Sequence, residues 1–170
     1  MTITEIRGNI LTTTAPVIAH QVNCVGVMGA GLALQIKKRY PDVFKPYKDF
    51  CNTCSYLGFL YQKTKEKPTV ENFGILGCAL VVPVHDGKYI ANLFGQYSYG
   101  RDEETVYTDY KAVESALMSL RIQCEHINAK TIAFPYGMGA GLAKGDWNVI
   151  LGLITKTFMV SDFNIEIWRL

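Results

Sequence analysis

The sequence predicts an α/β fold with helices on both faces of a mixed sheet, and three observations predict it. Short apolar runs of strand length alternate with stretches of helical periodicity through most of the 170 residues. The glycine-rich phrase MGAGLA occurs twice, at residues 28–33 and 138–143, each time between a strand-like run and helical sequence. The pair Asp86-Gly87 separates two further apolar runs, which is a hairpin signal.

Each element has its own justification. Residues 3–6 alternate, and residues 17–22 (VIAHQV) form an apolar run that ends in polar residues; both read as strands. Leu32, Ile36 and Tyr40 recur at helical spacing, so a helix spans residues 30–40, beginning inside the first glycine loop and stopped by Pro41. Val43, Tyr47 and Phe50 mark a second short helix over residues 42–51, with Pro46 early within it. Residues 62–73 are polar around Pro68 and read as a surface loop. Residues 79–85 and 88–94 form an antiparallel pair about a two-residue turn at Asp86-Gly87. Residues 95–104 (GQYSYGRDEE), polar and aromatic together, suit a loop bordering a ligand. Tyr110, Val113, Leu117, Leu120, Cys124 and Ile127 trace the apolar stripe of a long helix. A brief strand at 131–134 closes at Pro135, Val149, Ile150, Leu153, Ile154 and Phe158 mark a last helix, and residues 165–168 a last strand.

Bulk properties narrow the class. The length suits one domain over residues 1–170 with its own core. Apolar residues make up 49% and charged residues 19%, as in an ordinary soluble protein. A net charge of +2, with basic residues grouped only at Lys37, Lys38 and Arg39, gives no argument for direct nucleic-acid binding. The beginning MTITEIRGN lacks the basic-then-apolar pattern of a leader, and Cys24, Cys51, Cys54, Cys78 and Cys124 make an odd set; reduced thiols and a cytoplasmic location are expected. The longest apolar run, ILGCALVVPV, is broken by Pro83 and too short to cross a bilayer, so no membrane partner is expected.

The repeated phrase carries the chemistry. Glycines after a strand let the backbone turn sharply and approach a ligand that a Cβ would exclude. Their N–H groups, together with a helix N-terminus, form a cradle for phosphate. Two such cradles facing one another would hold a diphosphate from both sides, although tight turns that let helices pack closely would use the same residues. A dinucleotide fold is a poor match, because VGVMGAG fits the spaced-glycine fingerprint loosely and no acidic residue follows at the required distance.

The segments IRGNI, IAHQVNCVGVMGAGLALQIKKRYP and FPYGMGAGLAKGDW, taken in order, resemble the macrodomain family. Within it they are similar to the branch of ADP-ribose 1''-phosphate phosphatases found in yeast and phages. The resemblance implies a three-layer α/β/α sandwich that binds ADP-ribose with its pyrophosphate between the two loops, without cofactor or metal. Carried over, Gly8-Asn9-Ile10 matches the segment that meets adenine, with Asn9 in place of the usual Asp, so charge assistance is lost there. Asn23 matches the asparagine that meets the distal ribose. Gly26, Gly29, Ala30, Gly31 and Leu32 match the first phosphate loop, and Gly139, Ala140, Gly141 and Leu142 the second. Phe94, Tyr97 and Tyr99 match positions bordering ribose or adenine.

For catalysis, His20 titrating near neutrality would donate a proton to a leaving oxygen or orient water; a packed, hydrogen-bonded histidine is the other reading. Asp146 is either a general base or nucleophile, or the N-cap of the following helix. His85 and His126 read as surface or satisfied residues. Related hydrolases that remove ADP-ribose from acidic side chains use a lysine and an aspartate where this sequence has Gln96 and Ala143, which disfavours that reaction. Cys51 and Cys54 have the spacing of half a zinc site, and no second pair accompanies them. The resemblance thus implies phosphate release from ADP-ribose 1''-phosphate, in the processing of phosphates left by tRNA ligation. The rivals are a non-catalytic ADP-ribose module and a de-ADP-ribosylating hydrolase.

Overall fold

Strands β1 (Thr2–Arg7), β2 (Val17–Asn23), β3 (Ala79–Pro83), β4 (Tyr89–Gln96), β5 (Thr131–Pro135) and β6 (Asn164–Arg169) pair into one sheet in the order β1-β6-β5-β2-β4-β3. The structure is a computed structural model and describes residues 1–62, 68–71 and 74–170, with side chains of 1–53, 68–71 and 74–170. Every neighbouring pair is parallel except β3 with β4, so the sheet is mixed, as the alternation of elements predicts. Helices α1 (Gly31–Arg39) and α2 (Pro41–Gln62) cover one face, and α3 (Tyr110–His126) and α4 (Trp147–Phe158) the other.

Two-sided burial explains why β2 reads as a continuous apolar run rather than an alternating one. Ile18 and Val22 pack with Ile36 of α1, Val43 and Tyr47 of α2 and Tyr40 between the two helices, whereas Val17 and Ala19 pack with Leu117, Leu120 and Ile154 of α3 and α4. The result is the three-layer α/β/α sandwich. The stripe expected on α3 is buried at Val113, Leu117, Leu120 and Cys124.

Two local expectations need correction. The second helix runs from Pro41 to Gln62 rather than ending near Cys51. Pro41 occupies its first position, where the missing N–H costs nothing, and the sequence beyond Cys51 offers only Gly58 as a breaker, which costs about 1 kcal/mol and does not stop a helix. The hairpin turn is longer than two residues. Val84 N–H donates to Lys88 O at 2.9 Å and Gly87 N–H to Val84 O at 3.1 Å, so His85, Asp86 and Gly87 form a three-residue loop with Gly87 at φ +80°. The left-handed glycine closes a bulged hairpin instead of a primed turn. The loop expected at residues 62–73 lies largely outside the described residues, as does the side chain of Cys54. Among the described residues no helix is long and apolar enough to cross a membrane.

Asp109 caps α3, its Oδ1 accepting from Ala112 N–H at 3.0 Å. Replacing it (Asp109→Ala) should cost about 1 kcal/mol. Chemical denaturation is expected to show a lower midpoint at unchanged m-value; an unmoved midpoint would contradict the cap.

Candidate ligand-binding site

Because β2 pairs in parallel with both β4 and β5, the three strands end at one edge of the sheet. Asn23 ends β2 opposite Gln96, which ends β4, and the second glycine loop follows β5. At this edge lies a cleft of about 620 Å³ lined by both loops: Gly29, Ala30, Gly31 and Leu32 on one side, Gly139, Gly141 and Leu142 on the other. Its volume falls in the range of nucleotide-sized ligand sites, roughly 300–1,000 Å³.

The first loop is shaped by one side chain. Asn23 Nδ2 donates to Val27 O at 2.7 Å, while its Oδ1 accepts from the N–H groups of Val25 at 3.1 Å and Val27 at 3.3 Å. The Tyr47 hydroxyl donates to the same Oδ1 at 2.9 Å from α2. With its amide so engaged and only 7% of it exposed, Asn23 folds the loop around itself. The chain then enters α1 through Ala30, whose backbone is extended and which offers no side-chain cap. The first-turn amides of Gly31, Leu32 and Ala33 therefore stand at the cleft without a capping partner, with the positive end of the helix dipole behind them.

The second loop is built differently: it precedes a helix without entering it directly. Residues 137–143 form successive turns; Ala140 N–H donates to Gly137 O at 2.9 Å, and Gly145 N–H returns to Gly139 O at 2.8 Å. Lys144, at φ +56°, and Gly145 then turn the chain before α4 starts at Trp147. Gly139 (φ +71°) suits its position, since the backbone is left-handed and a Cβ there would stand 2.5 Å from Gln21 Oε1 and force that side chain to shift. A polar chain ties this loop to the sheet: Gln21 Nε2 donates to Gln96 Oε1 and to Thr108 Oγ1, each at 2.9 Å, and Thr108 Oγ1 donates to Gly139 O at 2.7 Å.

His20 lines the cleft but is 2% exposed. Asn92 Nδ2 donates to Leu80 O at 3.2 Å, which turns its Oδ1 towards His20 Nε2 at 2.8 Å. An amide oxygen only accepts, so the imidazole carries its proton on Nε2, and buried Nδ1 presents a lone pair without a partner. Burial lowers the pKa to about 4, against the opposing bond to Asn92. His20 is thus a neutral imidazole at physiological pH, not a group titrating near neutrality.

Other expected residues fall in several places. Asp146 is exposed and caps α4, its Oδ1 accepting from Asn148 N–H at 2.8 Å; it is not among the residues lining the cleft. Asn9 spends its Oδ1 on Leu11 N–H at 3.0 Å, Ile10 is buried in the core, and neither lines the cleft. Phe94 is fully buried, stacked 5.8 Å from Tyr47, and does not line the cleft. Gly26, Ala140 and Tyr97 also lie outside the lining, whereas Tyr99, Gln96 and Ala143 belong to it. The segment 95–104, expected to border a ligand, supplies Gln96, Tyr99, Gly100 and Arg101 to the lining, whereas Gln21 and Tyr136, also in the lining, are not expected from the sequence. Gln21 had a signal, as a polar residue inside an apolar strand run. Among the described residues no cluster of His, Cys, Asp and Glu is arranged to hold a metal ion.

No family model matches the chain. It superposes on the macrodomain of Mycobacterium tuberculosis DarG with a TM-score of 0.75 at 24% identity, over 98% of this chain and 97% of that one. The chain has the macrodomain fold. It is 47% identical over 157 residues to the DNA ADP-ribosyl glycohydrolase of M. tuberculosis, covering 92% of its own length and 38% of that protein. It is 25% identical over 177 residues to the ADP-ribose 1''-phosphate phosphatase of Lodderomyces elongisporus, covering 98% of its own length and 99% of that protein. It therefore spans well under half of the glycohydrolase and nearly all of the phosphatase.

The His20 environment sets a pH dependence of stability. The folded protein keeps the imidazole neutral down to about pH 4, while the unfolded chain protonates it near pH 6.5. The stabilisation is complete above pH 6.5 and is lost as pH falls from 6.5 towards 4, a loss of roughly 3 kcal/mol. In the variant His20→Gln, denaturation between these limits should show a correspondingly shallower decline than wild type, and parallel curves would contradict the assignment.

Proposed function

We propose that this chain binds ADP-ribose-type ligands, with the diphosphate held between its two glycine loops. The observation that carries this reading is that both copies of MGAGLA line one cleft, at the carboxyl edge of parallel strands. The uncapped first turn of α1 supplies donors and partial positive charge to one side of the diphosphate, and the turns of the second loop bring backbone close on the other. Asn23 positions the first loop and borders the ligand's distal ribose. The names of the matched relatives, a glycohydrolase and a phosphatase acting on ADP-ribose derivatives, agree with this ligand class.

A second reading adds turnover: hydrolysis of the phosphate monoester of ADP-ribose 1''-phosphate. Its support is the match along almost the entire length of a phosphatase of that name. The lining holds no Asp or Glu among the described residues, so the group nearest to a base is the lone pair on His20 Nδ1; it is buried, and a rearrangement that admits the attacking water would have to precede proton transfer to it. A base whose conjugate acid has a pKa of about 4 is weak, so turnover would be slow. Removal of ADP-ribose from DNA has its own support in the 47% identity to a glycohydrolase of that name, whereas removal from acidic side chains is less supported. Gln96 spends both ends of its amide on Gln21 and Ser98, and Ala143 offers no functional group.

Calorimetry tests the binding: ADP-ribose should bind at least about tenfold more tightly than AMP, a difference of about 1.4 kcal/mol, and equal affinities would remove the reading. Phosphate release from ADP-ribose 1''-phosphate tests turnover. It should be detectable in wild type and lost in His20→Gln with ADP-ribose affinity retained; no release from wild type would leave a binding module.

A further inference from the structure

The segment between β4 and α3 contributes Tyr99, Gly100 and Arg101 to the lining of the cleft and is fastened to the second glycine loop. Tyr107 N–H and Thr108 N–H both donate to Ala143 O, at 2.9 and 3.1 Å, and Lys144 Nζ donates to Asp102 O at 2.8 Å. Within the segment, the Asp102 carboxylate accepts from Glu104 N–H at 3.0 Å and from Thr105 Oγ1 at 2.7 Å. Gly100 lies so close under the Tyr107 hydroxyl that a Cβ would collide with it. Arg101 thus precedes an anchored residue, Asp102, and it lines the cleft.

Its charge has no counterpart. Arg101 is the sole Lys or Arg among the described lining residues, and that lining contains no carboxylate. The ion pairs among the described residues join Lys45 to Asp49, Lys88 to Asp86 and Lys156 to Glu114, none of them involving Arg101. The carboxylate next to it in sequence, Asp102, is spent on its own turn. The proposed diphosphate is already provided for by uncharged backbone amides from the two loops. An unpaired guanidinium beside that cradle is suited to a further anion, and its planar fork matches a phosphate better than a point charge would.

We infer that Arg101 is a specificity-determining residue, receiving a phosphomonoester that the ligand carries in addition to its diphosphate. The inference rests on the reading of the cleft as a site for ADP-ribose-type ligands. The cleft then prefers a nucleotide sugar with a third phosphate to the same molecule without it, whether or not that phosphate is later cleaved.

Titration of the whole chain with ADP-ribose and with ADP-ribose 1''-phosphate tests this, in wild type, Arg101→Met and Arg101→Lys, with free phosphate followed in parallel. Wild type should bind the phosphorylated ligand about tenfold more tightly. Arg101→Met should abolish that preference while changing ADP-ribose affinity by less than about twofold, and Arg101→Lys should recover part of it. Equal weakening of both ligands in Arg101→Met would assign the guanidinium to the diphosphate and overturn the inference, as would an unchanged preference. Binding of ADP-ribose by wild type without any preference for the phosphorylated form overturns it while leaving the cleft's reading intact. Binding of neither ligand removes both. Thermal unfolding of the variants, expected to match wild type because Arg101 is exposed, separates these outcomes from misfolding.

Discussion

Parallel pairing of β2 with β4 on one side and β5 on the other is the constraint from which the site follows. Strands that run the same way must end at the same edge, and whatever chain leaves them there is brought together without any attraction between the loops themselves. The apolar burial of β2 on both faces keeps that register, since a slip of one residue would exchange the residues facing α1 and α2 for those facing α3 and α4. Proximity of the two glycine loops is therefore a property of the core.

What differs between the loops is how each is held. The first is wound around the carboxamide of Asn23, which Tyr47 reaches from α2, so its shape is fixed by a single buried knot. The second is pinned through the carbonyl of Gly139, where Thr108 and Gly145 converge, and through Thr108 to Gln21 on the central strand. Identical hexapeptides thus reach different conformations. One continues into a helix because α1 follows immediately, and the other folds into turns because Lys144, Gly145 and the capping Asp146 intervene.

The sequence made the architecture and the loops legible because both depend on short-range patterns: periodicity in β2 and α3, and glycine where a strand ends. It was less informative where tertiary context decides. Nothing local marks α2 as continuing to Gln62, and the hairpin at Gly87 is a bulge rather than a primed turn through pairing of Val84 with Lys88. His20 was read as titratable because the intrinsic pKa of imidazole is visible in a sequence and its burial beside Asn92 is not. Asp146 carried two readings, and only the position of the cleft separates an N-cap from a lining group. The polar and aromatic segment 95–104 marks a ligand-bordering loop, but nothing in it singles out Arg101, whose backbone neighbour Asp102 is docked onto Lys144 only in the folded chain.

The engagement of Asn23 has a kinetic consequence. Its amide already supplies the hydrogen bonds that shape the first loop, so the cradle needs no ligand to organise it and loses little conformational entropy when one arrives. Association would then approach a rigid-body encounter, with differences in affinity between related ligands residing in how fast they leave.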